Sequence, residues 1–219
     1  MDLIQQLNFY DTQLLLFLNG LHNTFFDGFM YTFTQIYVWI PFYLAIVYVI
    51  LKSQKKEAAF WIILSLILCI VIADQVSSGF IKNTVQRLRP SRDPALEGLI
   101  HTVNAYVGGK FGFTSSHAAN TFSFALLSAI YFRNKNFSIA VISWSLMNCY
   151  TRMYLGVHYP LDIVGGLMVG FLTVLVIYAL MNKFKPALIQ HDLELPATIP
   201  LYTLAITLIG IIGYSVVII

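Results

Sequence analysis

Residues 58–80 read AAFWIILSLILCIVIADQVSSGF, 23 positions with a single charged side chain, Asp74. A helix rises 1.5 Å per residue, so about 20 apolar residues cross the hydrocarbon of a bilayer. Residues 30–51, 161–181 and 197–219 have the same character. Two shorter apolar runs, 116–132 and 137–151, flank the polar turn Arg133-Asn134-Lys135-Asn136 and read as a helical hairpin. The expected fold is an all-α integral membrane protein, a six-span helical bundle forming one domain over residues 1–219.

Composition supports this. Hydrophobic residues make up 58% of the chain and charged residues 11%, whereas a soluble domain carries about 25% charged residues. A water-soluble enzyme and a disordered chain are both excluded. Cys69 and Cys149 lie in apolar runs, which suits buried free thiols rather than a disulfide. Trp39, Trp61 and Trp144 suit lipid-facing or belt packing, not nucleic-acid stacking. The N-terminus has no basic region ahead of an apolar stretch with a cleavage site, so insertion is expected to use the spans themselves.

Residues 1–29 differ. Leu3, Ile4, Leu7, Leu14, Leu15, Phe17, Leu18 and Leu21 alternate with Gln5, Gln6, Asn8, Asp11 and Asn19, a pattern for a helix lying in the interface. Lys52, Lys55, Lys56, Arg133, Lys135, Lys183 and Lys185 fall in the links after spans one, three and five. By the positive-inside rule those links face the cytoplasm. Residues 81–115, an unusually long link, then face outward.

Three clusters share that outer side. Lys82 and Arg89 are seven apart, so they share a helix face if the second span continues past Phe80; Pro90 then ends the helix. Two such cations suit an anion or an anionic-lipid anchor. Thr114, Ser115, Ser116 and His117 precede an apolar run, where hydroxyls cap helices and free N–H groups bind phosphate. In the third cluster, Thr151-Arg152 leads to Gly156, His158, Pro160 and Asp162. Pro160 suits the first helical position, which puts Asp162 in the first turn, where it can accept from the His158 ring. Together these residues are the set that phosphoryl transfer without a metal requires. Lys82, Arg89 and Arg152 would repel a metal cation.

In this order the motifs Lys82…Arg89-Pro90, Ser115-Ser116-His117 and Arg152…His158…Asp162 resemble those of the type 2 phosphatidic acid phosphatase superfamily. That family includes membrane lipid phosphate phosphatases and soluble vanadium-dependent haloperoxidases. Thr114, Ser116 and Thr151 depart from its usual proline, glycine and serine. The resemblance implies His158 as nucleophile held by Asp162, His117 as general acid, and no metal or other cofactor. It implies Lys82, Arg89, Ser115, Ser116 and Arg152 as the phosphate cradle.

The expected activity is removal of phosphate from a phosphorylated or pyrophosphorylated lipid at the outer face of a bacterial inner membrane, toward the periplasm or exterior. Candidate substrates are undecaprenyl pyrophosphate, phosphatidate, phosphatidylglycerophosphate and the lipid A phosphates. The alternatives are an anionic-lipid transporter or flippase, which has no use for a His–Asp pair, and a haloperoxidase, which needs no membrane. Asp74 is expected to pair with Lys82 or Arg152. Arg92 and Lys110 suit a headgroup or solvent equally, and His22, His101 and His191 read as loop or interfacial residues.

Overall fold

The computed structural model describes residues 2–186 and 195–217; His191 and the last two residues of the sixth expected span lie outside them. Among the described residues every regular element is helical, apart from one isolated bridge between Leu88 and Phe111; most of the link over residues 86–115 is irregular.

Helix α1 (Leu3–Gly20) starts on a capping box between Asp2 and Gln5, and α2 (Thr24–Phe33) is capped by Asn23. A 3-10 turn, Ile36–Trp39, leads into α3 (Ile40–Ser53). Helix α4 (Lys56–Asp74) continues through a π-helical segment, Gln75–Ile81, into the short α5 (Lys82–Val85). After the long link come α6 (Ser116–Phe132), α7 (Lys135–Tyr154), α8 (Pro160–Phe184) and α9 (Thr198–Val217).

Four helical stretches are long and apolar enough to cross a membrane: Ile36–Ser53, Lys56–Val85, Pro160–Phe184 and Thr198–Val217. Leu44, Leu68, Leu172 and Ile206 on them are exposed, as lipid-facing side chains are. The hairpin α6–α7 falls outside that set: α6 is only 17 residues long, and Ser123, Ser128, Ser145, Asn148 and Thr151 are polar and buried along the pair. Helix α6 packs against α4, α7 and α8, so its polar atoms face protein rather than lipid. A Cβ added at Gly166 of α8 would collide with the Ser115 carbonyl, and one at Gly170 would lie 2.8 Å from the Ala119 carbonyl. Small residues at this spacing let the two backbones touch.

The first 29 residues hold α1 and the start of α2, and on α1 the polar Asp11 and Asn19 are 4% and 1% exposed while Leu3, Ile4 and Phe17 lie outside. The polar positions at i and i+8 bind protein, because Asn19 bonds the His101 amide and the Tyr154 carbonyl. Trp39 and Trp144 are buried and meet edge to face at 5.6 Å, in the core rather than in a belt. Trp61 lies beneath the Lys185 ammonium, 4.7 Å away. Cys69 and Cys149 are free and buried.

Candidate active site

Helix α8 opens with Pro160, and its third residue, Asp162, folds back to accept from the Tyr159 amide at 3.0 Å. The same oxygen, Oδ2, lies 3.2 Å from His158 Nδ1. On the other side of the ring, Arg89 Nη1 lies 3.2 Å from Nε2. Arginine only donates, so Nε2 carries the lone pair and Nδ1 the proton. Burial, then the charges of Arg89, Arg152 and Lys82, push the His158 imidazole well below its usual value. Asp162 pulls the other way, but burial among cations prevails and keeps the ring neutral.

Helix α6 opens opposite. Ser115 caps it, its Oγ accepting from the Ala118 amide at 3.3 Å, and its own amide donates to the Asp162 carbonyl at 2.9 Å. The two helix N-termini are thereby stitched together, and the first-turn amides of α6 converge on the same side. Ser116 Oγ accepts from Lys82 Nζ at 3.1 Å. His117 Nε2 lies 3.3 Å from both Asn148 Oδ1 and Thr34 Oγ1.

Arg152, near the end of α7, donates through Nη1 to Thr34 Oγ1 and through Nη2 to the Tyr106 hydroxyl, each at 2.9 Å. Its buried Nε has no partner among the described residues. Burial raises the Tyr106 phenol, but the Arg152 charge and hydrogen bond outweigh it and hold the group below its usual value. Arg89 is steered by the Phe111 and Val157 carbonyls at 3.1 and 3.2 Å. The fold therefore gathers Lys82, Arg89, Ser115, Ser116, His117, Arg152, His158 and Asp162 into one cluster.

The route differs from the expected one. Lys82 and Arg89 share no helix: Gln86 takes a left-handed conformation (φ 53°), and Arg89 is extended before the turn at Pro90. Asp74 pairs with neither Lys82 nor Arg152; its Oδ1 accepts from Asn120 Nδ2 at 3.1 Å. Arg92 donates to the Gly108 carbonyl, and Lys110 lies over the Phe111 ring.

Sequence reasoning missed several partners. Arg87 donates through Nη1 to Asp162 Oδ1 at 3.1 Å and through Nη2 to Asp11 Oδ2 at 2.7 Å. The other Asp11 oxygen accepts from the Leu161 amide at 2.9 Å, so α1 clamps the start of α8. Asp11, Thr34, Tyr106 and Asn148 carried no sequence signal, since each reaches the site across the fold. Among the described residues no three His, Cys, Asp or Glu side chains gather to hold a metal.

Two buried arginines, Arg89 and Arg152, with the half-buried Lys82 suit an anion, and a neutral histidine lies beside them; the class so defined is that of the membrane phosphatases. Residues 58–186 match the family model described as the PAP2 superfamily, and the chain belongs to that family. It is 39% identical to a lipid A 4'-phosphatase of Bacteroides thetaiotaomicron over 98% of this chain and 99% of the relative. A lipid A 4'-phosphatase of Porphyromonas gingivalis is 35% identical over 74% of this chain and 69% of its own. The fold is similar to the crystal structure of Aquifex aeolicus LpxE, with a TM-score of 0.58 at 22% identity, covering 77% of this chain and 94% of that one.

Proposed function

We propose that the protein removes phosphate from a phosphorylated glycolipid of the lipid A kind, without a metal, through a phosphohistidine. The observation that carries this reading is the neutral His158, with its Nε2 lone pair aimed at Arg89 and its Nδ1 proton held by Asp162. The phosphoryl oxygens would lie among Lys82, Arg89, Arg152, Ser115 and the first-turn amides of α6, displacing the bond between Arg89 and His158. Nε2 attacks phosphorus, the bond to the lipid oxygen breaks, and His117 gives that oxygen a proton. Water, losing a proton to His117, then attacks the phosphohistidine and releases phosphate with His158 free again. The cations stabilise charge on the equatorial oxygens in both steps.

The lipid A assignment draws on the two relatives that cover most of this chain. For orientation, the Lys/Arg distribution favours six spans, with α6 and α7 completing the four apolar helices, and a site facing outward from a bacterial inner membrane. The test is phosphate release by the purified protein across a lipid panel, with acid-labile, alkali-stable phosphoprotein trapped from radiolabelled substrate. Trapped label in the wild type and none in a folded His158→Gln variant is expected. Turnover by that variant would overturn the nucleophile.

A further inference from the structure

A second cavity, of about 620 Å³, lies on the same side of the molecule, between α2, the link before α6 and the end of α9. Asp27, Tyr31, Thr32, Thr102, Asn104 and Tyr214 line it. Its chemistry is unlike that of the catalytic cradle. Its polar groups are mainly hydroxyls and a carboxamide, set among apolar surface; no Lys or Arg is among its lining residues, and its charged group is a carboxylate. An anion would find no cation in this lining and would face the Asp27 carboxylate. A neutral, polyhydroxylated group would find donors, acceptors and phenol rings, the mixture by which sites of this size orient a polar ligand.

The cavity is also tied to the reaction centre. Tyr31 packs edge-on against Tyr106 at 6.3 Å between centroids, and the Tyr106 hydroxyl accepts from Arg152. One turn further along, the residue capping α2, Thr34, touches both Arg152 and His117. Asp27 is held rigid, since its Oδ1 accepts from the Tyr154 hydroxyl at 2.7 Å and meets His101 Nε2 at 2.8 Å. Oδ2 carries neither bond and is left to accept from a ligand hydroxyl. Preorganised groups of this kind bind without paying the entropy of ordering.

We infer that this cavity is the subsite for the sugar of the substrate, holding the neutral glycosyl headgroup while its phosphate lies in the Lys82–Arg89–Arg152 cradle. The inference rests on the phosphatase reading above and deepens it: the cradle takes any phosphomonoester, whereas the cavity selects a glycolipid.

The experiment compares kcat/KM for a phosphorylated diglucosamine lipid and for phosphatidate, using the full chain in detergent. The variants are Thr32→Val and Asn104→Gly, the latter because Asn104 has φ 51° and glycine keeps that backbone. Neither side chain is placed in the catalytic machinery. Each variant should lose about tenfold on the glycolipid, mainly through KM, and stay within about twofold on phosphatidate, as expected for loss of hydrogen bonds to one ligand only. Equal losses on both lipids, unchanged activity on both, or a wild type that does not prefer the glycolipid would each overturn the subsite while leaving the phosphatase reading standing. A wild type inactive on every phospholipid and glycolipid would instead overturn the phosphatase reading, and the subsite with it.

Discussion

The described residues hold two histidine–aspartate pairs, and they sit in different surroundings. His158 and Asp162 are buried, with His158 Nε2 turned toward Arg89. His101 and Asp27 meet at a shorter 2.8 Å, yet their side chains are 24% and 25% exposed. The His101 ring stacks on His22 at 3.7 Å, and Asp27 is shared with Tyr154. The tighter pair is the one without a cradle. A carboxylate beside an imidazole fixes a tautomer; what turns the ring into a nucleophile is a free lone pair facing the place where an electrophile is held.

The sharpest way to break this comparison is to remove each histidine. His158→Ala should lower phosphate release by at least about 10³-fold on any substrate, while His101→Ala should keep release from phosphatidate within about threefold. Comparable losses from both would end the distinction. Next in size, Asp162→Asn should cost about 10²-fold or more in kcat with little change in KM, because an amide no longer enforces the Nδ1-protonated tautomer.

Arg87 comes third. Replacing it by Met leaves Asp11, 1% exposed in its side chain, without its counter-charge, and breaking a pair with one deeply buried member costs up to about 3 kcal/mol of stability. Thermal unfolding should read that loss, and kcat should fall about tenfold as Asp162 loses one tether. Arg87→Lys should recover more of the stability than of the rate.

The smallest effect concerns pH. Burial and three cations lower the His158 pKa, so the proposed nucleophile stays neutral as pH falls. The acid limb of kcat/KM should therefore lie below the ordinary imidazole value of about 6.5. A limb at or above that value would show that Asp162, not the cations, governs the ring.

Several features were legible along the chain. The bounds of α6 coincide with the run 116–132, and Asp162 takes the first turn of α8 behind Pro160, because helix starts are written in local chemistry. Other features were not. Asp74 was read against Lys82 by helical spacing, but α4 runs into a π-helical segment that changes the register, and Asn120 takes the carboxylate instead. Helix α7 runs from Lys135 to Tyr154, longer than 137–151, because Asn148 and Arg152 are sheltered by protein and so do not end the helix.

By itself the sequence determined that this protein lives in a membrane and which short motifs are proposed to carry its chemistry, since hydropathy, capping and motif order depend on neighbours in the chain. The tertiary structure alone decided how those motifs meet. Arg89 reaches His158 only after the left-handed turn at Gln86, α1 turns Asp11 inward onto Arg87, and Thr34 and Tyr106 aim Arg152. Each of these contacts joins residues far apart in sequence, and what selects them is that a polar group shut away from water must find a partner wherever the fold puts one.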